Sequence, residues 1–266
     1  MPKQATPALR AAAISVLLGI VSSVALSQQP GPKQVDYKIA PTIHVGDGTV
    51  SGARLQPYEN AWLMSVHFRD GRILDQGIWS DLLRLRDVDG GSKVYVRIQG
   101  MTYQKGLTSV TVNVFDPVSL APISSEQHGP DGRVVKRMFN GAHVETHVTP
   151  PGGSERVSQA ELPMPVYDFN GGMYGVLFAA QKLKTGATGA LPAIAEFTDD
   201  FESVPYKVIG QERIRAGSRG DVDAWVVEVG TPTTLKFWIS ERAPYIIRLV
   251  LPNFVPEGDV VYEMLS

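Results

Sequence analysis

The chain is organised around residues 110–148, which read VTVNVFDPVSLAPISSEQHGPDGRVVKRMFNGAHVETHV. Apolar and polar side chains alternate from Val110 to Val114, which is the period of a half-buried β-strand. Turn residues then divide the stretch at Asp116-Pro117, Pro130-Asp131-Gly132 and Asn140-Gly141. Asn-Gly pairs and proline suit the tight turns that join antiparallel strands. The stretch therefore predicts four consecutive antiparallel strands, arranged as a meander.

The rest of the chain repeats this pattern of short strands separated by turns. Residues 62–68 and 93–98 alternate in the same way, and further strand candidates fill most of residues 194–265. Residues 80–86 suit either a strand or a short helix. The best helix candidate is 171–182, although its glycines weaken it. The sequence thus predicts a mainly β, antiparallel fold with one or two short helices.

The first residues have the composition of a targeting segment. Lys3 and Arg10 precede an apolar run at 11–24, and no acidic residue interrupts it. The run is shorter than the ~20 residues that a membrane-spanning helix needs. Ser27 ends a small-x-small cleavage pattern, and Ala25 ends a rival one. We therefore expect a cleaved signal peptide rather than an anchor.

This cleavage defines the expected organisation and location of the protein. Residues 1–27 are the predicted signal peptide, and residues 28–266 are predicted to form a single β-rich domain. No later segment is long and apolar enough to span a bilayer. The sequence predicts a periplasmic or secreted protein.

Composition excludes several classes of function. The chain has no cysteine and a formal charge of −2, so disulfides and thiol catalysis are excluded and nucleic acid is not expected as a partner. It contains no phosphate loop, no dinucleotide fingerprint and no Gly-x-Ser-x-Gly elbow. We therefore expect no cofactor and no enzymatic activity. A Ser-His-Asp site assembled from distant residues stays open as an alternative.

Two segments turn a corner with similar chemistry. Phe115–Pro122 and Phe237–Pro244 each end a strand with an aromatic residue, turn through polar residues and start the next strand with proline. Arg248 follows the second segment. Over about residues 93–251, these features resemble an exported domain family of unknown function. They resemble the lipoprotein-localisation carriers more distantly, and residues 28–92 depart from the resemblance.

The resemblance implies an open or half β-barrel with one or two short helices packed on its concave face. In the lipoprotein carriers, that concave face holds acyl chains. The predicted wall of such a site consists of apolar residues on two strands: Trp62, Met64, Val66, Phe68, Leu235, Phe237 and Ile239. The helix at 171–182 is either a movable lid, through Met173, Val176 and Leu177, or a permanent plug of the core.

The sharpest polar cluster lies on the fourth strand of the meander. His143, Glu145 and His147 share one face of this strand, where two imidazoles and a carboxylate suit Zn²⁺ or Cu²⁺. Alternate strand positions lie ~6.6 Å apart, however, which is wide for a compact metal site. A solvated strand face therefore explains the cluster better, and we predict no metal.

These observations lead to one principal functional hypothesis. The sequence predicts a periplasmic, non-enzymatic β protein that binds an apolar or amphipathic ligand, such as a lipid or acyl chain. One alternative is a structural or assembly protein of the cell envelope that binds other proteins through strand edges or loops. A hydrolase is the third hypothesis.

Overall fold

The structure is a computed structural model. It describes residues 42–104, 106–168, 173–194, 199–230 and 234–265. The predicted signal peptide at 1–27 and both of its cleavage sites lie outside the described residues. No helix in the described ranges has the length and apolar character needed to cross a membrane.

The described residues form one large antiparallel sheet of fourteen strands. In chain order these are β1 (Tyr58–Phe68), β2 (Ile73–Asp87), β3 (Lys93–Tyr103), β4 (Thr108–Phe115), β5 (Pro122–His128), β6 (Val134–Asn140), β7 (His143–Thr149), β8 (Arg156–Glu161), β9 (Thr188–Ile194), β10 (Phe201–Arg215), β11 (Asp221–Val229), β12 (Leu235–Ile239), β13 (Ile246–Val255) and β14 (Gly258–Met264). Between β8 and β9 lies one α-helix, α1 (Met173–Ala179). Short 3₁₀ turns occur at Gly52–Arg54 and Gly217–Arg219.

The order of the strands shows how the sheet is built. It runs β8-β7-β6-β5-β4-β3-β2-β1-β14-β13-β12-β11-β10-β9. Nearly every strand pairs with its neighbours in sequence, and the one long-range pair joins β1 to β14. The sheet does not close, because β8 and β9 are its two edges. The predicted antiparallel meander with the form of an open half-barrel is confirmed.

The stretch that decides the fold behaves as its turn residues predict. Strands β4 to β7 are four consecutive antiparallel strands. Gly132 and Gly141 have φ angles of 86° and 63°, which only glycine adopts without strain. The ambiguous residues 80–86 form part of the long strand β2, so the helical alternative is wrong.

The helix is shorter than the predicted range of 171–182. It ends at Ala179, and the next turn tightens, because the Gln181 N–H donates to the Phe178 carbonyl oxygen at 3.0 Å. The Ala180 carbonyl oxygen accepts from the Ser51 N–H at 2.9 Å instead of continuing the helix. A distant loop therefore satisfies the end of the helix.

The helix packs into the core on strands β12 and β13. The centroids of the Phe178 and Phe237 rings are 5.8 Å apart, and the rings pack nearly edge to face. A Cβ atom on Gly175 would lie 2.4 Å from Ile246 Cδ1 and 3.2 Å from Phe237 Cε1. The absence of a side chain at Gly175 thus lets the helix approach the sheet closely. This confirms the expectation of a short helix on the concave face.

Residues near the two sheet edges also contact each other. Arg137 on β6 forms an ion pair at 2.8 Å with Asp199, which follows β9. Asn113 on β4 donates through Nδ2 to Asp168 Oδ2 at 2.9 Å. An apolar cluster that contains Val144 of β7 and Ile194 of β9 lies on the same side. These side chains, together with a backbone hydrogen bond from the Tyr167 N–H to the Pro192 carbonyl oxygen of β9 at 2.9 Å, join the two edge regions.

The close packing of Gly175 predicts that alanine at this position destabilises the protein, although helix propensity alone predicts the opposite. Alanine in a helix is favoured over glycine by about 1 kcal/mol, yet Gly175→Ala should lower the free energy of unfolding by about 1–3 kcal/mol, because its methyl group overpacks the core. Urea unfolding measures the change. Gly210→Ala is the control, since its Cβ would meet nothing closer than 3.9 Å. Stabilisation by Gly175→Ala would show that the helix is not seated in this way.

Candidate functional site

The predicted wall residues lie in two separate apolar clusters. The main cluster holds Trp62, Phe237 and Ile239 with Leu235 packed against it, and a second cluster holds Met64 and Val66 with Phe68 packed against it. Most of the seven are buried by protein atoms. None lines the cavity described below. Their predicted contact with a ligand stays a prediction.

The predicted lid residues are buried in the same core. Val176 and Leu177 have no exposed surface, and the described side chains of the helix contact the sheet. The Met173 side chain lies outside the part of the chain that the structure describes. In this structure, the helix fills its part of the concave face, and its role as a movable lid stays a prediction.

A cavity of about 620 Å³ opens beside the end of the helix. Three segments line it, namely the loop at 48–54, the loop at 181–187 and the strand β10. We call this space the helix-end cavity. Its volume falls within the range of about 300–1,000 Å³ that is usual for small-molecule sites.

The floor of the helix-end cavity is a buried polar pair. Gln181 and Tyr206 are each 8% exposed. The Tyr206 hydroxyl donates to Gln181 Oε1 at 2.8 Å, and Gln181 Nε2 donates to the Leu177 carbonyl oxygen at 3.2 Å. Burial raises the pKa of Tyr206 to about 12, so the phenol is neutral at physiological pH. The floor thus couples the cavity to the last turn of the helix.

The rest of the lining combines apolar surface with positive charge. Leu183 and Val208 supply apolar surface. Arg54 and Lys182 are the ionisable basic residues of the lining, and both are exposed to solvent. A lining of this kind suits a molecule with an apolar part and a polar or negatively charged part.

The loop at 48–54 is held in place by backbone contacts. Its Gly52 N–H donates to the Val118 carbonyl oxygen at 2.8 Å. A Cβ atom on Gly52 would lie 2.3 Å from the Pro117 carbonyl oxygen, so only glycine allows this approach. Val118 and Pro117 belong to the corner at Phe115–Pro122 that the sequence analysis singled out. That corner therefore positions one wall of the cavity.

A row of buried polar residues crosses the inner face of strands β3 to β7. The residues lie opposite one another in the strand register: Arg97, Asn113, Ser125, Arg137 and Thr146. On the outer face, Ile98, Val110 and Met138 are 38–51% exposed. The alternation at 110–114 thus identified a strand with two faces, but the polar face is the one that turns inward.

An ion pair anchors one end of this polar row. Arg97 and Asp81 have fully buried side chains, and Arg97 Nε donates to Asp81 Oδ1 at 2.9 Å. The Tyr58 hydroxyl donates to Asp81 Oδ2 at 2.8 Å. Burial and the charge of Asp81 raise the pKa of Tyr58 well above its ordinary value. No local motif in the sequence reveals this pair, because Asp81 lies on β2 and Arg97 on β3.

The candidate metal residues lie on the outer face of β7 and pair with carboxylates. His147 Nε2 lies 2.8 Å from Glu145 Oε1, and its Nδ1 lies 3.3 Å from Glu155 Oε2. His143 Nδ1 lies 2.8 Å from Glu161 Oε1 on β8. Within the described ranges, no group of three or more such side chains is arranged to hold a metal ion. These pairs instead connect β7 to the edge strand β8 and the residues before it.

Comparison with known proteins gives a family and a distant structural likeness. Residues 86–253 match the family described as a protein of unknown function, DUF3108. The fold is similar to the crystal structure of a beta-barrel-like protein of the domain of unknown function DUF1849 from Brucella abortus, with 10% identity and a TM-score of 0.42. That similarity covers 80% of this chain and 97% of the other. No curated protein matches the chain.

These comparisons test part of the resemblance stated from the sequence. A family of unknown function was expected over about residues 93–251, and the match at 86–253 confirms it. The more distant resemblance to the lipoprotein-localisation carriers stays a prediction.

The buried ion pair predicts a strongly non-additive pair of substitutions. Arg97→Met leaves the Asp81 carboxylate buried without its partner, so the free energy of unfolding should fall by about 3–5 kcal/mol. The double variant Asp81→Leu/Arg97→Met removes both charges and should recover most of this loss. Urea unfolding of both variants measures the difference. Equal losses in the two variants would mean that the buried charge is not the cause.

The histidine pairs predict a pH-dependent attachment of β8. Hydrogen bonds to Glu145 and Glu155 raise the pKa of His147 above 6.5, and the bond from His147 lowers the pKa of Glu145 below 4.5. The contribution of His147 to the stability of the β8 attachment is therefore complete below pH 6.5, and it is lost as the pH rises through the raised pKa of His147. The Glu145 contribution is complete above pH 4.5 and is lost in more acidic solution.

Amide exchange, expressed as protection factors, should thus show β8 most protected between about pH 4.5 and 6.5. His147→Gln should reduce the loss of protection on the alkaline side, because it removes the His147 pairs and keeps the pair of His143 with Glu161. His128→Gln is the matched control, since His128 pairs with Glu126 on its own strand. An unchanged pH profile in His147→Gln would refute the attachment.

Proposed function

The chain belongs to the DUF3108 family of unknown function, and we propose that it is a non-enzymatic protein that binds an amphipathic ligand, such as a lipid or acyl chain. The ligand occupies the helix-end cavity. The proposed location is the periplasm, which the signal-like residues 1–27 support.

The main support for this proposal is the size of the helix-end cavity and the set of residues that line it. Its volume of about 620 Å³ suits a small molecule. The buried pair Tyr206 and Gln181 supplies oriented polar atoms, and Leu183 and Val208 supply apolar surface. Apolar contact contributes about 25 cal/mol for each Å² removed from water, and the polar pair fixes the orientation of the ligand.

The lining favours binding over catalysis. It includes no histidine, aspartate or glutamate, which are the usual general acids and bases. Its Tyr206 hydroxyl is neutral, with a pKa raised by burial to about 12, and donates to an amide. A group held in this state orients a ligand rather than accepting a proton from it.

The apolar core next to the cavity is a further reason to expect a ligand with an apolar tail. The cavity lies against the end of α1, whose residues Val176 and Leu177 cover the apolar side of the sheet. A short tail fits the cavity as it stands. A longer tail requires the helix to move away from Phe237 and Ile246, which is the lid role predicted from the sequence. The resemblance to the lipoprotein-localisation carriers supports the same ligand class.

One observation favours a second candidate function. Strand β8 pairs with β7 only, so its other edge has no partner strand in the described part of the chain. Its Val157 side chain is 55% exposed. Such an edge accepts an extended segment of another protein by strand addition. A cell-envelope assembly role would use this edge and would not need the cavity.

Native mass spectrometry of protein purified from the periplasm tests the ligand proposal. We expect a lipid adduct near one-to-one stoichiometry, identified after solvent extraction. Ala187→Trp fills the helix-end cavity and should weaken binding at least about tenfold, because it occupies the space of the ligand. Val157→Trp on the exposed face of β8 is the control. A ligand-free mass that persists after incubation with lipid extracts would overturn the proposal and favour the assembly role.

A further inference from the structure

The charged side chains that line the helix-end cavity are all positive. Arg54 and Lys182 line it from two different loops, and no acidic side chain lines it. The chain as a whole has a formal charge of −2. A positive lining is therefore a local feature and does not follow from the overall composition.

Neither cation has a carboxylate partner within the described residues. The ion pairs of those residues include neither Arg54 nor Lys182, although arginines elsewhere, such as Arg97 and Arg137, have close partners. A nearby acid, Asp47, accepts hydrogen bonds from the N–H groups of its own loop, at His44 and Thr49. The two cations are thus available to a charged group from solution.

A hydroxyl group adds a hydrogen-bond donor to the same lining. Ser51 lies at the start of the 3₁₀ turn Gly52–Arg54, where serine often caps the turn, but its side chain makes no such bond. Ser51 and Arg54 line the cavity from the same loop, and Lys182 lines it from the loop after the helix. Two cations and a hydroxyl donor form a suitable receptor for an oxyanion.

We propose that the helix-end cavity selects an anionic amphiphile, whose carboxylate or phosphate head binds between Arg54 and Lys182 while its apolar tail lies on Leu183 and Val208. This inference rests on the proposed function and adds the charge of the ligand to it. The Tyr206–Gln181 pair lies below the head and keeps its own hydrogen bond. Selection for the anion arises at the exposed mouth of the cavity, and therefore it weakens as salt screens the charges.

The test compares three probes that carry the same twelve-carbon tail on different heads: dodecanoate, dodecyl phosphate and the neutral monoglyceride of dodecanoic acid. Binding is measured below the critical micelle concentration by isothermal titration calorimetry at low and at high salt. We expect wild-type protein to bind both anions more tightly than the neutral probe. Tighter binding of dodecyl phosphate would indicate a phosphate head, and tighter binding of dodecanoate a carboxylate head.

The variant Arg54→Gln/Lys182→Gln should weaken binding of the anions by about five- to thirtyfold at low salt, because each exposed ion pair contributes modestly. It should leave the neutral probe unaffected. Lys184→Gln is the matched control, because Lys184 is an exposed lysine in the same loop that does not line the cavity. Urea unfolding confirms that the variants are folded.

The outcomes separate this inference from the proposed function. Wild-type protein could bind the neutral probe as tightly as the anions, with the same affinities in the double variant. This result would support the amphiphile site and refute the anion selectivity. If wild-type protein binds none of the three probes, the proposed function fails and the inference fails with it. A loss that appears equally with Lys184→Gln would also refute the assigned roles of Arg54 and Lys182.

Discussion

The pairing of β1 with β14 is the constraint on which the rest of the structure depends. It joins the first described strand to the last and makes one sheet of two meanders. Trp62 lies at this junction, where its ring stacks on Trp79 at 4.4 Å and its Nε1–H donates to the Ile246 carbonyl oxygen at 2.8 Å. Because the first and the last of the fourteen strands pair in the middle of the sheet, its two edge strands are β8 and β9.

Those edges explain the position of the helix and of the helix-end cavity. The helix α1, which lies between β8 and β9 in the chain, covers the apolar part of the concave face, where Gly175 allows close contact with Ile246. The helix ends early because the Ala180 carbonyl oxygen bonds to the Ser51 N–H. The helix-end cavity is the space between the loop at 48–54, the loop that follows the helix and strand β10.

The sequence allowed the strands to be predicted because their determinants are local. Asn140-Gly141 specifies a tight turn wherever it occurs, and the alternation at 110–114 specifies a strand. The direction of each face is not local. Asn113 is buried and Val110 is exposed because Asn113 lies opposite the buried Arg97 in the register, and Arg97 pairs with Asp81 on β2. Only the sheet register brings those residues together, so a rule that places apolar residues inside assigns the valines at 110–114 to the wrong face of β4.

The cavity could not be predicted for the same reason, since its lining comes from three segments far apart in the chain. Its chemistry nevertheless follows from simple physics. Gln181 and Tyr206 form a hydrogen bond with each other in the buried floor, where an unpaired polar group would be costly. Charge is confined to Arg54 and Lys182 at the exposed mouth. Because Gln181 also bonds to the Leu177 carbonyl oxygen, the polar floor joins the cavity to the last turn of α1. Binding in the cavity is thereby connected to the element that covers the apolar core.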